Sequence, residues 1–147
     1  MKRFWISDTH FSHQNIIKYT DRPFGNVDIM NKELIKRWNS VVGKNDLVYH
    51  LGDFGNWKWV DVEPIYKQLK GKILLIRGNH DHETIRRNID WVQRMSLKIG
   101  PYYCLLNHMA VYEWAHEKFS DSRKWYDKHI TREDLHENYD FVLCGHS

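Results

Sequence analysis

Three apolar runs in this chain stop on polar clusters: residues 3–7 on Asp8 and His10, residues 46–51 on Gly52-Asp53, and residues 72–77 on Gly78-Asn79-His80-Asp81. Each run has the length and composition of a buried strand, and helical patterns stand between them. Strands alternating with helices predict a layered α/β domain with a parallel sheet, whose strand ends bring the polar clusters to one edge. A fourth cluster, Gly145-His146, follows an apolar run at 140–144.

The clusters differ in weight. With 10 His in 147 residues, Asp-x-His, Gly-Asp and Gly-His are each expected roughly 0.6 to 0.8 times by composition alone, but Gly-Asn-His-Asp/Glu only roughly 0.005 times. It also follows a predicted strand and opens a predicted helix, the context a functional motif needs. Carboxylate, imidazole and amide oxygen without an obvious thiolate suit a pair of divalent cations such as Mn, Fe or Zn, and not a structural zinc.

The pass along the chain adds a short helix at 15–19 and a turn at Arg22-Pro23-Phe24-Gly25. Apolar residues recur with helical spacing from Val27 to Val42, and Gly43 supplies the C-cap. A further helix starts near Pro64, which a first turn tolerates, and runs to Lys70. Strands are expected at 92–98 and 102–106, around a turn at Ile99-Gly100-Pro101, and the second delivers Asn107-His108. Residues 109–130 form a long aromatic and charged segment, and Thr131 caps a short helix.

Length and composition exclude several classes. The chain fits one domain, residues 1–147, with a sizeable core. Its apolar fraction of 41% and aromatic fraction of 14% argue against disorder. A net charge of +3 is no nucleic-acid footprint, although it suits an anionic substrate. No stretch has membrane-spanning length, and the apolar N-terminal run is too short for a signal peptide. Cys104 and Cys144 fall in predicted core strands, which suits a reducing, cytoplasmic location. Oligomeric state is not written in the sequence.

The ordered series Asp8-x-His10, Gly52-Asp53, Gly78-Asn79-His80-Asp81, a lone His108 after a strand, then Gly145-His146 resembles the signature of the calcineurin-like metallophosphoesterases, over nearly the whole chain. The stretch from Ile6 to His13 further resembles the small bacterial and phage members. The resemblance implies two facing β-sheets flanked by helices in αββα layers. It also implies a dinuclear site holding two divalent ions, Mn foremost, with Fe, Zn, Ni or Mg as other occupants. Asp8 and His10 would bind the first ion, Asn79, His108 and His146 the second, and Asp53 would bridge them. A metal-bridging water would attack a phosphomonoester or phosphodiester, possibilities that include a nucleotide. His80 would be the general acid and Asp81 the carboxylate that orients its imidazole. His13, His116 and Arg77 are the residues expected to touch phosphate, Arg77 serving equally well as a salt-bridge partner. His50 and the remaining histidines read as surface or supporting residues.

Two departures qualify the pattern. Asn107 precedes His108 where the family has Ser, and the family's Gly-His-x-His would need a His after Ser147. The second favours a C-terminally truncated form of a longer protein, since a stop inside a ligand motif leaves an open sheet edge. The rival reading, a non-catalytic metal- or nucleotide-binding protein that keeps the fold, has no use for His80 and Asp81.

Overall fold

A computed structural model describes residues 1–109 and 138–146. Strand β1 (Arg3–Ile6) leads through helices α1 (Ile16–Tyr19) and α2 (Val27–Val41) to β2 (Leu47–His50). Helix α3 (Trp59–Tyr66) then leads to β3 (Lys72–Ile76), and α4 (Glu83–Arg86) to β4 (Trp91–Val92). These strands pair in parallel in the order β1-β2-β3-β4. Parallel neighbours require crossovers, which the helices provide. A second sheet, ordered β5-β6-β7, holds β5 (Met95–Ile99), β6 (Tyr102–Met109) and β7 (Phe141–His146). In it β5 and β6 are antiparallel, β6 and β7 parallel.

Strand periodicity explains the layers. Successive side chains point to opposite faces, so Val48, Ile73 and Leu75 meet Trp38, Val62, Ile65 and Ile85 from the helices and Val42 just past α2. The alternate residues Tyr49, Leu74 and Ile76 face Leu97, Leu106 and Leu143 of the second sheet. The first sheet is thus buried on both faces, as parallel sheets require, and its strands read as nearly unbroken apolar runs.

Several expectations need correction. The stretch 92–98 is not one strand: Trp91–Val92 completes the first sheet and Met95–Ile99 starts the second, with Gln93 and Arg94 at the change of sheet. Helix α3 begins at Trp59 and carries Pro64 inside it. Pro64 therefore lies past the first turn that would tolerate it, and its missing N–H leaves Val60 O without the usual helical donor. Cys104 is buried as expected, but Cys144 is exposed on β7. The segment 110–137, including His116 and the helix expected from Thr131, lies outside the described residues. No helix among the described residues is long and apolar enough to cross a membrane.

Candidate metal centre

Because β1, β2 and β3 are parallel, their C-terminal ends share one edge, and the loops that follow them run side by side. Asp8 N donates to Gly52 O at 3.0 Å, His10 N to Asp53 O at 3.0 Å, and Phe11 N to Phe54 O at 3.0 Å. The polar clusters after β1 and β2 are therefore stitched together by backbone. Asp8, His10 and Asp53 have φ of 52°, 49° and 56°. Left-handed backbone at three non-glycine residues of one small region is a concentration of strain, characteristic of functional sites.

Arg22 helps to hold that backbone. Its guanidinium donates to Asp8 O at 2.7 Å and to Thr9 O at 2.9 Å. The Thr9 hydroxyl donates to Phe54 O at 2.6 Å, so its oxygen is left to accept from His50 Nε2 at 2.9 Å. His50 is fully buried beneath the site, against Trp38 and Phe54. Of the two alternatives given for it, the supporting role holds and the surface role does not. Strand parity dictates this: His50 shares the face of Val48, which lies under the helices.

Asp53 is the centre of the arrangement. Its side chain is buried, its Oδ1 accepts from His80 N at 2.9 Å, and its Oδ2 lies 3.7 Å from His10 Nε2 and 3.4 Å from His108 Nε2. On one side, donor atoms of Asp8, His10 and Asp53 all lie within 4.8 Å of one another. On the other, His108 Nε2 and Asn79 Oδ1 are 2.9 Å apart. His108 is fixed by a hydrogen bond between its Nδ1 and Leu51 O at 2.7 Å, the backbone tether that commonly orients a metal-binding imidazole. Gly52 and Gly78 are obligatory here. A Cβ on Gly52 would collide with the His108 ring, and one on Gly78 with the Asp53 carboxylate.

The donor set fits divalent cations. Asp8 Oδ2 is buried without a hydrogen-bond partner, a costly state for a carboxylate oxygen and a natural one for a ligand atom awaiting an ion. The spacing of 3.7–3.8 Å from His10 Nε2 to the two carboxylates is too long for hydrogen bonds. Burial lowers the His10 pKa to about 4 against the pull of Asp53 and Asp8, which keeps its imidazole neutral and able to ligate. Burial alone would raise the Asp53 pKa, but His108 and the His80 amide hold it down at about 2. Burial also works against protonation of His108, yet Asp53 prevails and raises its pKa. A cation at His108 would therefore compete with a proton for its Nε2.

His80 is exposed and lines a cavity of about 510 Å³ together with His10, His13 and Asn79. Its ring centroid lies 5.8 Å from that of His10. Asp81 has a different task from the one expected. Its Oδ2 accepts from Gly78 N at 2.7 Å and Asp53 N at 2.9 Å, and its Oδ1 from Phe54 N at 2.8 Å. The buried carboxylate ties the β3 loop to the β2 loop through backbone amides, and these are the bonds it makes in place of one to the His80 imidazole. Arg77 reaches Gln93 Oε1 at 3.4 Å and is not among the residues lining the cavity, whereas His13 is, with its ring 5.8 Å from His10. For His146 the backbone is informative: it pairs with Met109, next to His108, and Gly145 packs so closely that a Cβ there would lie 3.1 Å from Asp8 Oδ2.

Two predictions arise from this scaffold. Asp81→Asn replaces an acceptor by a donor facing backbone N–H groups, so it should cost about 2–4 kcal/mol of stability. Urea unfolding checks this; an unchanged midpoint with lowered turnover would instead support the imidazole-orienting role. The second concerns acid. His50, its pKa lowered by burial to about 3, and His10 both refuse protons that the unfolded chain accepts below its ordinary pKa of 6.5. Their contribution is complete above pH 6.5 and is lost as pH falls toward about 4 for His10 and about 3 for His50, at about 1.4 kcal/mol per pH unit for each group within its window. His50→Leu should flatten that slope in the metal-free chain, as urea midpoints measured across the range will tell.

Arg22, Thr9 and the tie made by Asp81 were not found from sequence. Arg22 stands in an ordinary turn, and no local pattern marks an arginine whose partners are backbone carbonyls 13 and 14 residues away.

A parallel sheet whose edge gathers donor atoms of Asp8, His10 and Asp53 defines a candidate metal-binding group of the α/β class. The whole chain, residues 1–147, matches the calcineurin-like phosphoesterase superfamily domain, and the chain belongs to that superfamily, whose members are mostly metallophosphoesterases. It is 54% identical over 82 residues to an uncharacterized protein of Methanocaldococcus jannaschii, covering 54% of this chain and 47% of the relative. It is 34% identical over 121 residues to the gene 66 protein of Mycobacterium phage L5, covering 75% and 52%. The chain thus spans about half the length of these curated relatives. A crystal structure of a protein of unknown function from Aquifex aeolicus superposes with a TM-score of 0.63 at 29% identity, covering 74% of this chain and 61% of that one.

Proposed function

We propose that this chain hydrolyses a phosphate ester with two divalent ions held at the strand edge. The observation that carries the reading is Asp53 Oδ2, which faces His10 on one side and His108 on the other. A single carboxylate so placed offsets the repulsion between two cations. Asp8 and His10 would hold the first ion, Asn79, His108 and His146 the second, and Asp53 would serve both. Such a pair, when bound, clamps phosphate oxygens and makes water a nucleophile near neutral pH. Asp53 fixes the spacing of the two positions, and Asp81 fixes Asp53 by holding its backbone amide. His80, beside these ligands but open to the cavity, gives a proton from its ring nitrogen to the departing alkoxide. His13 stands where it can contact the phosphoryl group.

The test is release of nitrophenolate from p-nitrophenyl phosphate and bis-p-nitrophenyl phosphate, with Mn, Fe, Zn, Ni or Mg supplied singly. Metal-dependent turnover, highest with Mn, is the expected result. Tight metal binding without turnover on either ester would leave the chain a binding module and end the hydrolase reading.

A further inference from the structure

The cavity at the metal centre is larger than a phosphoryl group needs. At about 510 Å³ it has the size of a site for a whole small organic molecule. Its lining among the described residues contains four histidines, amide side chains, a serine and a tryptophan, but no Lys, Arg, Asp or Glu. The histidines His10, His13 and His80 cluster at the phosphoryl end, with ring centroids 5.8 Å apart for His10–His13 and His10–His80. The remaining space therefore suits an uncharged group. A polyphosphate or a nucleic-acid backbone would call for cationic grips, and the described residues of this lining supply none.

Trp57 is the one large aromatic residue of that lining among the described residues, and it is 63% exposed. Its backbone is nevertheless pinned: the Trp57 N–H donates to Asn56 Oδ1 at 2.9 Å, and its carbonyl accepts from the Thr84 hydroxyl of α4. A broad apolar face kept in water on an anchored stretch of chain is a platform, since a core residue would be covered. Polar groups suited to a ring edge stand in the same cavity. Asn15 occupies an N-cap position but makes no capping hydrogen bond with its side chain. Gln14 uses its Oε1 to accept from Val27 N, which leaves its amide nitrogen as a donor.

We propose that Trp57 stacks a flat heteroaromatic ring of the substrate, so that the cavity takes a phosphoester of the nucleoside class with a single phosphoryl group. The amides of Asn15 and Gln14 meet the polar edge of that ring. This rests on the phosphoesterase reading for the chemistry, but the ring site is a property of the cavity and can be read by binding alone.

Calorimetry on the Mn-loaded full chain, with two ligands that cannot be hydrolysed, tests it: a nucleoside phosphonate that mimics thymidine monophosphate, and methylphosphonate. The nucleoside ligand should bind at least about tenfold more tightly, the scale of one base stacked on an aromatic side chain. Trp57→Ala should remove most of that advantage and Trp57→Phe should keep most of it, while methylphosphonate changes less than about twofold in either variant. Equal affinity for the two ligands in the native chain, or an advantage that survives Trp57→Ala, overturns the proposal; so does failure of both ligands to bind. The nitrophenyl ester assay separates the two claims. Turnover without nucleoside preference rejects the ring site alone, and preference without turnover rejects the hydrolase alone.

Discussion

Asp53→Asn should abolish ester hydrolysis and leave the protein with at most one bound ion. The substitution is nearly isosteric, and the carboxylate's hydrogen bond from His80 N at 2.9 Å can be kept by the amide oxygen. The other terminus of the side chain decides the outcome. In the native chain Oδ2 stands 3.7 Å from His10 Nε2 and 3.4 Å from His108 Nε2, and there an amide places a neutral NH2 that cannot ligate. The two positions then lose the only negative charge they share, and the second cation meets uncompensated repulsion from the first. Metal analysis after dialysis, beside activity measured in excess Mn, checks both halves. Two tightly held ions in this variant would reject the bridging role.

His80→Ala should leave the metal content intact and lower turnover by about 10² to 10⁴, the usual contribution of a general acid. The side chain is exposed and lines the cavity, so its removal should cost little stability. Its backbone N–H, the group that holds Asp53, survives the substitution. The loss should grow as the leaving group becomes a poorer one: an alkyl ester needs a proton on its departing oxygen, whereas nitrophenolate leaves without one. Equal losses for alkyl and nitrophenyl esters would remove His80 from this role. Loss of one ion would make it a ligand instead.

The polar clusters could be read from sequence because strand ends are local events. An apolar run followed by Gly-Asp or Gly-Asn-His-Asp states where a strand stops and what stands at its tip, and parallel pairing then brings Asp8, His10, Asp53 and Asn79 to one edge. His108 was legible the same way, as a lone histidine expected just after the strand at 102–106, although β6 runs on through Met109 and contains it. What failed was whatever depends on direction or on distant partners. Asp81 sits beside His80 in sequence, but its carboxylate turns inward to the amides of Asp53, Phe54 and Gly78, and adjacency cannot reveal that turn. His50 was legible in principle, since alternation along β2 puts it on the face of Val48. The stretch 92–98 divides between two sheets because Val92 pairs with β3 and Met95 with β6, and a change of strand partner leaves no mark in residue type. Trp57 drew no notice, because a lone exposed aromatic residue in a loop has no pattern; only its place in the lining of the cavity gives it a meaning.

Whether two ions share Asp53 is measured most directly by electron paramagnetic resonance during titration of the metal-free chain with Mn. The predicted result is an exchange-coupled signal of paired ions that reaches its limit at two equivalents and vanishes in Asp53→Asn. Only the signal of isolated Mn, unchanged as the second equivalent is added, would contradict it.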